Sequence, residues 1–310
     1  MNRLLRICSI NKNMEGFNLK SIISYPERGH WGTSSYRGNC SGHVIKDLLQ
    51  QFFPKTAPKR FVEVFSGGGT GQDVAKELGI TNSVHLDLDT GWNALKDEIP
   101  YGSDFVFSHP PYWDIIRYEF QRKSYDPDDL SNVMSYEEFI EKLDKVNAKI
   151  YQSLLNGGRH AFLVGDVRRK GRYFSIIKDM CWFGELESHI IKIQHNCVSS
   201  KKTYSNRNFI PIEHEHLLVF KKNHVWMVQL KNTVTKTFDL RQFNHITWRD
   251  LVQGAVEWLG GKAKLEQIYE LIEGSKKTLK NKHWKEKVRQ TLQMHDNFVT
   301  VERGIWAIQY

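Results

Sequence analysis

The stretch Ser108-His109-Pro110-Pro111-Tyr112-Trp113 sets an imidazole, a phenol and an indole on backbone that two prolines stiffen. A neutral imidazole accepts through one ring nitrogen, and a phenol ring offers a flat face for stacking. Before it runs Asp104-Phe105-Val106-Phe107, a short apolar segment of the kind that forms a central parallel strand. Proline has no N–H to continue a ladder, so the strand must end at Pro110. The result is a rigid shelf at the carboxyl end of a strand, where ligands sit in open α/β sheets. A strand closed by a Pro-Pro turn with core aromatics is the plain alternative.

A second such edge lies upstream. Lys59-Arg60-Phe61-Val62-Glu63-Val64 reads as a buried strand, and Phe65-Ser66-Gly67-Gly68-Gly69-Thr70-Gly71 as a glycine-rich turn into a helix over 71–78. Glycines there permit a tight turn and close approach of a ligand to the backbone. The N-terminus of the helix, with its free N–H groups, suits a carboxylate. About twenty residues on, Ser83-Val84-His85-Leu86-Asp87-Leu88-Asp89 predicts a strand ending in acids, and either Asp87 or Asp89 is placed to bind a ribose hydroxyl pair.

Together these motifs resemble the S-adenosylmethionine-dependent DNA amino-methyltransferases. Phe65-Ser66-Gly67-Gly68-Gly69-Thr70-Gly71 is similar to that family's cofactor motif, and Ser108-His109-Pro110-Pro111-Tyr112 to its catalytic one. The resemblance covers roughly residues 30 to 222. His109 stands where the family usually has Asp, Asn or Ser, which is most similar to a subgroup of phage and mobile-element methylases carrying His-Pro-Pro-Tyr. The resemblance implies S-adenosyl-L-methionine as cofactor, held by residues 65–70 with Asp87, Asp89 and Ser108. It implies that Arg37 and Asn39, just upstream, help to hold it; a structural loop is the alternative there. It also implies catalysis by His109, Pro110, Pro111 and Tyr112 on adenine N6 or cytosine N4, in a base turned out of double-stranded DNA. An RNA methyltransferase, or an idle DNA-binding relative, is the competing reading.

The expected frame is a Rossmann-like α/β sheet closed by an antiparallel hairpin, with a small C-terminal winged helix-turn-helix. Residues 1–25 carry little pattern and predict a loose arm; 26–222 form the methyltransferase domain, 223–245 a connector, and 246–310 the winged helix. A helix starts at Ser135, with Glu138 completing a capping box, and its apolar stripe runs from Phe139 to Leu155, ending at Gly157-Gly158. Next to the ligand edge, Arg117 and Arg122 among aromatics, and Arg168 and Arg169 after the next strand, suit phosphates. Lys201 and Lys202 lie in a polar insert read as target recognition. Lys282, Lys285 and Arg289 load the third C-terminal helix, the one that enters the major groove in such modules. His214-Glu215-His216 sends two histidines to one strand face, but the sequence shows no third ligand, so no metal is expected.

Composition bounds these readings. The 310 residues carry a net charge of +9 with 40% hydrophobic residues, which favours a polyanionic partner. A homodimer or a restriction-system partner is also open. Four scattered cysteines form neither a metal pattern nor a disulfide framework and fit a reducing cytoplasm. No apolar run suggests a membrane span or a signal peptide.

Overall fold

The computed structural model describes residues 18–195, 210–224, 227–234 and 237–309. They divide into two compact units between Thr233 and Val234, inside the segment read as a connector.

The first unit runs β1 (Ile22–Ser24), α1 (Gly42–Phe52), β2 (Phe61–Val64), α2 (Thr70–Glu77), β3 (Ser83–Leu86), β4 (Ser103–Ser108), α3 (Tyr136–Ser153), β5 (Leu154–Val164), β6 (Glu185–Ile193) and β7 (His214–Lys221). These strands form a seven-stranded sheet in the order β3-β2-β4-β5-β7-β6-β1, beside two small two-stranded ladders, Val167–Arg169 with Arg172–Phe174 and Trp182–Phe183 with Leu230–Lys231. β3, β2, β4 and β5 are parallel, and β7 runs antiparallel between β5 and β6. This is a Rossmann-like α/β sheet with a closing antiparallel hairpin. From β2 the chain goes to β3 on one side and then crosses to β4 on the other, so the carboxyl ends of β2 and β4 flank a switch point. Crevices at such points hold ligands.

The strand residues alternate between two cores. Phe61, Phe105 and Phe107 pack against Val44, Ile45 and Leu48 of α1, whereas Val62, Val64 and Val106 pack with Val146 and Ile150 of α3. Both faces of β2 and β4 are therefore dry, which accounts for their unbroken apolar runs.

Three expectations are corrected. Ile22–Ser24 belongs to no loose arm but pairs in parallel with Ile191–Ile193 as the outermost strand. α3 stops at Ser153, and β5 begins at the next residue. Between residues 114 and 125 the expected loop carries one short helix, Glu119–Arg122.

The second unit runs α4 (Trp248–Trp258), β8 (Lys262–Lys264), α5 (Leu265–Ile272), α6 (Lys276–Lys280), α7 (Trp284–Met294), β9 (Phe298–Glu302) and β10 (Ile305–Ile308), with sheet order β8-β10-β9. Its own core includes Val252, Val256, Ile268, Val288 and Leu292. The sequence reading missed β8 and the five-residue α6.

Candidate active site

The turn after β2 is held by two side chains from elsewhere. The Gly67 N–H donates to Asp87 Oδ2 at 2.9 Å, and the Gly68 N–H to Asn39 Oδ1 at 3.0 Å. Phe65 takes φ 64° there and Gly69 φ 82°, so the glycine at the start of α2 supplies a conformation that side chains resist. Buried Glu63 accepts from the Gly71 N–H and pairs with His85 at 2.7 Å. Burial, the dominant cause, raises the Glu63 and Asp87 carboxyls above the ordinary range.

Around this turn lies a first cavity, lined by Asn39, Phe65, Ser66, Gly67, Thr70, Asp87 and Trp92, together with His109 and Pro111. Its volume is about 60 Å³. Tyr36 and Tyr118, which also line it, stack with ring centres 5.6 Å apart. Thr70 Oγ1 is buried without a hydrogen-bond partner among the described residues. Gly68 and Gly69 shape the turn without lining the cavity, and Asp89 is exposed outside it. Arg37 does not line the cavity either; its backbone N–H donates to Gln121 Oε1. Ser108 is fully buried, and its hydroxyl engages His160 Nε2 at 2.6 Å.

A second cavity of about 560 Å³ is lined by His109, Pro110, Tyr112, Gly165, Asp166, Arg168, Lys192 and Glu215. Gly38, Asn39, Cys40, His109 and Tyr118 line both cavities, so the two meet at His109. The Tyr112 ring lies against Gly165, where a Cβ would come within 2.7 Å of it. The Tyr112 hydroxyl donates to Glu215 Oε1 at 2.6 Å and lies 2.8 Å from His109 Nε2. Lys192 Nζ donates to Glu215 Oε2 at 2.5 Å.

Burial lowers His109 to about 4. Burial alone would raise the Glu215 carboxyl, but the charge of Lys192 and the bonds from Lys192 and Tyr112 oppose it, and it lies below its ordinary range. Cys40 is buried too, which pushes its thiol up to about 12.

The basic residues read as phosphate contacts are placed variously. Arg122 forms a buried ion pair with Asp129 at 2.6 Å, and Arg117 pairs with Glu119, so neither is laid out for phosphate as expected. Arg169 binds Asp114, and Arg168 reaches the Ile210 carbonyl at 3.3 Å. Lys201 and Lys202 lie outside the described residues. Lys282, Lys285 and Arg289 are in the second unit, where Lys285 sits 5.4 Å from the Trp284 ring centre and Arg289 bonds Glu286 and Tyr269.

Asp166 corrects the view that His214 and His216 have no third donor nearby. One atom of each lies within 4.8 Å of the others. Asp166 Oδ2 already accepts from His216, Tyr173 and Ser175, so the group as built is a hydrogen-bonded network.

Glu63, Cys40, Lys192 and Glu215 escaped the sequence reading. Glu63 had a signal, an acid inside an apolar strand, because a buried carboxylate needs partners. Lys192 and Glu215 had none that separates them from ordinary strand residues.

No family model matches the chain, and no curated protein matches it. Among solved structures it is similar to TrmN from Thermus thermophilus, with 16% identity over 60% of this chain and 50% of that one and a TM-score of 0.37. A "Putative DNA Modification Methylase" from Thermus thermophilus, complexed with S-adenosyl-L-methionine, is 20% identical over 59% of this chain and 60% of that one, with a TM-score of 0.26. The plantazolicin methyltransferase BpumL, in complex with SAH, is 14% identical over 59% and 82%, with a TM-score of 0.29. The matches thus span half of TrmN and three fifths of the methylase, and likenesses with TM-scores under 0.5 assign no function to this chain.

Proposed function

We propose that the chain is an S-adenosylmethionine-dependent methyltransferase acting on the N6 amine of adenine in a specific sequence of double-stranded DNA, with the base rotated out of the duplex. The observation that carries this reading is the wall shared by the two cavities at the switch point, with His109 in it.

The residues of the first cavity fit the cofactor. Asp87 suits a ribose hydroxyl pair, the glycine turn lets a ligand lie against backbone, and Thr70 Oγ1 supplies an uncommitted polar atom. When bound, S-adenosylmethionine supplies an electrophilic methyl group.

The chain's own residues then have to make a poor nucleophile attack. An exocyclic amine has its lone pair delocalised into the ring. Acceptors aimed at its N–H bonds draw it toward tetrahedral geometry and free that pair. His109 and the Pro110 carbonyl are those acceptors, Pro111 fixes the shelf, and Tyr112 gives the extruded base a ring to stack on. The order of helix, strand, helices and hairpin in the second unit, with the short α6 as an addition between α5 and α7, supports reading it as a winged helix-turn-helix and hence a duplex-binding role.

Parallel incubations of methyl-labelled S-adenosylmethionine with duplex DNA and with RNA, then nucleoside analysis, test the reading. N6-methyladenine is the expected product. N4-methylcytosine would move the target to cytosine, label in RNA alone would replace the substrate, and absence of cofactor binding by calorimetry would overturn the assignment.

A further inference from the structure

The Tyr112 hydroxyl has one proton and two neighbours, Glu215 Oε1 at 2.6 Å and His109 Nε2 at 2.8 Å. The other oxygen of Glu215 accepts from Lys192 Nζ, and these two side chains are 8% and 11% exposed. A carboxylate beside an ammonium only accepts, so the tyrosine proton goes to Glu215. The phenol oxygen then has only lone pairs to offer, and its bond to Nε2 needs the proton on Nε2. Nδ1 is left unprotonated, and among the described residues nothing bonds it.

We propose that Glu215 and Lys192 are positioning residues: through the Tyr112 hydroxyl they hold His109 as the Nε2–H tautomer, leaving Nδ1 to accept from the target amine and to take its proton. The identity of the amine rests on the methyltransferase reading above, whereas the tautomer does not depend on it. As the nitrogen–carbon bond forms, the carbon–sulfur bond breaks with its electron pair going to sulfur, and the amine proton passes to Nδ1. The imidazolium so formed is offset by the Glu215 anion across Tyr112. The other groups around His109 are Cys40 and Tyr118, which burial keeps neutral with both pushed up to about 12, and Lys192, whose charge opposes the imidazolium from behind Glu215. Lys192 therefore holds the carboxylate in place, and Glu215 supplies the compensating charge.

Nitrogen-15 long-range spectra of the histidine rings in the full chain read the tautomer directly, with His109 assigned against His109→Asn. The expected result is an Nε2-protonated ring in the wild type and a tautomer mixture in Tyr112→Phe, which keeps the ring but loses the hydroxyl. A double variant, Lys192→Met with Glu215→Met, replaces the buried pair by apolar groups of similar volume, a change that proteins often tolerate, and should also release the tautomer. Both variants should lose roughly 100-fold in kcat while KM for S-adenosylmethionine stays unchanged. An Nδ1-protonated wild-type ring, or a Tyr112→Phe spectrum identical to wild type, would overturn the proposal. If the spectra come out as expected and no nucleic acid is methylated, the tautomer control stands and the amine assignment falls with the proposed function.

Discussion

His109, half-buried, and His160, buried, are imidazoles that loss of solvation keeps neutral, at about 4 and about 3. Two outcomes follow from opposite sides of the folding equilibrium. In the folded protein His109 stays an acceptor as pH falls from neutral, so the methyl-transfer rate should hold to about pH 5 and drop as pH passes through about 4, as a pH–rate profile would record. In the unfolded chain both rings take up protons near pH 6.5, so stability falls as pH drops from there toward the folded values. Each ring contributes a slope of up to about 1.4 kcal/mol per pH unit. Urea unfolding at pH 7, 6 and 5 should show a shallower decline in His160→Gln, which removes one of them. At this scale the sequence was partly legible. His109-Pro110-Pro111-Tyr112 and the turn 65–71 stood out because each is contiguous and each breaks a strand in a characteristic way. Glu215 and Lys192 did not, since they come from β7 and β6, and only the pairing of those strands brings them to Tyr112.

Elements end where side chains let them. Lys222, just after β7, donates its Nζ to the carbonyls of Tyr151, Gln152 and Leu154 at the end of α3. The carbonyls of a helix's last turn lack intrahelical partners, and a cation there also meets the negative end of the helix dipole, although the Tyr151 carbonyl also accepts from the Leu154 N–H. Burial lowers the pKa of this lysine. Replacing it with methionine should cost about 1–3 kcal/mol, read as a lower urea midpoint with the m-value unchanged. The start of α3 was legible: the Ser135 hydroxyl accepts from the Glu138 N–H, and the apolar stripe follows. Its end was not. Leu154 and Leu155 continue the helical periodicity, yet β5 claims them because β4 and the Lys222 backbone are there to pair with residues 154–158. Periodicity records which residues are apolar, and the choice between helix and strand is made by the neighbour.

The whole chain carries a net charge of +9, and much of the lysine near its end lies on α6, α7 and the link between them. For a protein that neutralises phosphates, log affinity falls with log salt by about 0.9 per contact. Replacing Lys282, Lys285 and Arg289 by alanine should therefore flatten the salt dependence of duplex binding by up to about 3, measured by fluorescence anisotropy between low and physiological salt. An unchanged slope would remove these residues from the interface. The division into two units was legible from the weakly patterned stretch between them, whereas β8 was not, since three residues alternating Lys-Ala-Lys give little period to read.

β1 has a consequence out of proportion to its three residues. It is a three-residue edge lying over Ile191–Ile193 of the nine-residue β6, and a short edge strand gives the backbone of another molecule less to pair with than the longer strand beneath it. A shortened chain starting at residue 26 would keep the described lining of both cavities and yet become adhesive to copies of itself. Sedimentation should find the shortened protein in larger species than the full one at equal concentration.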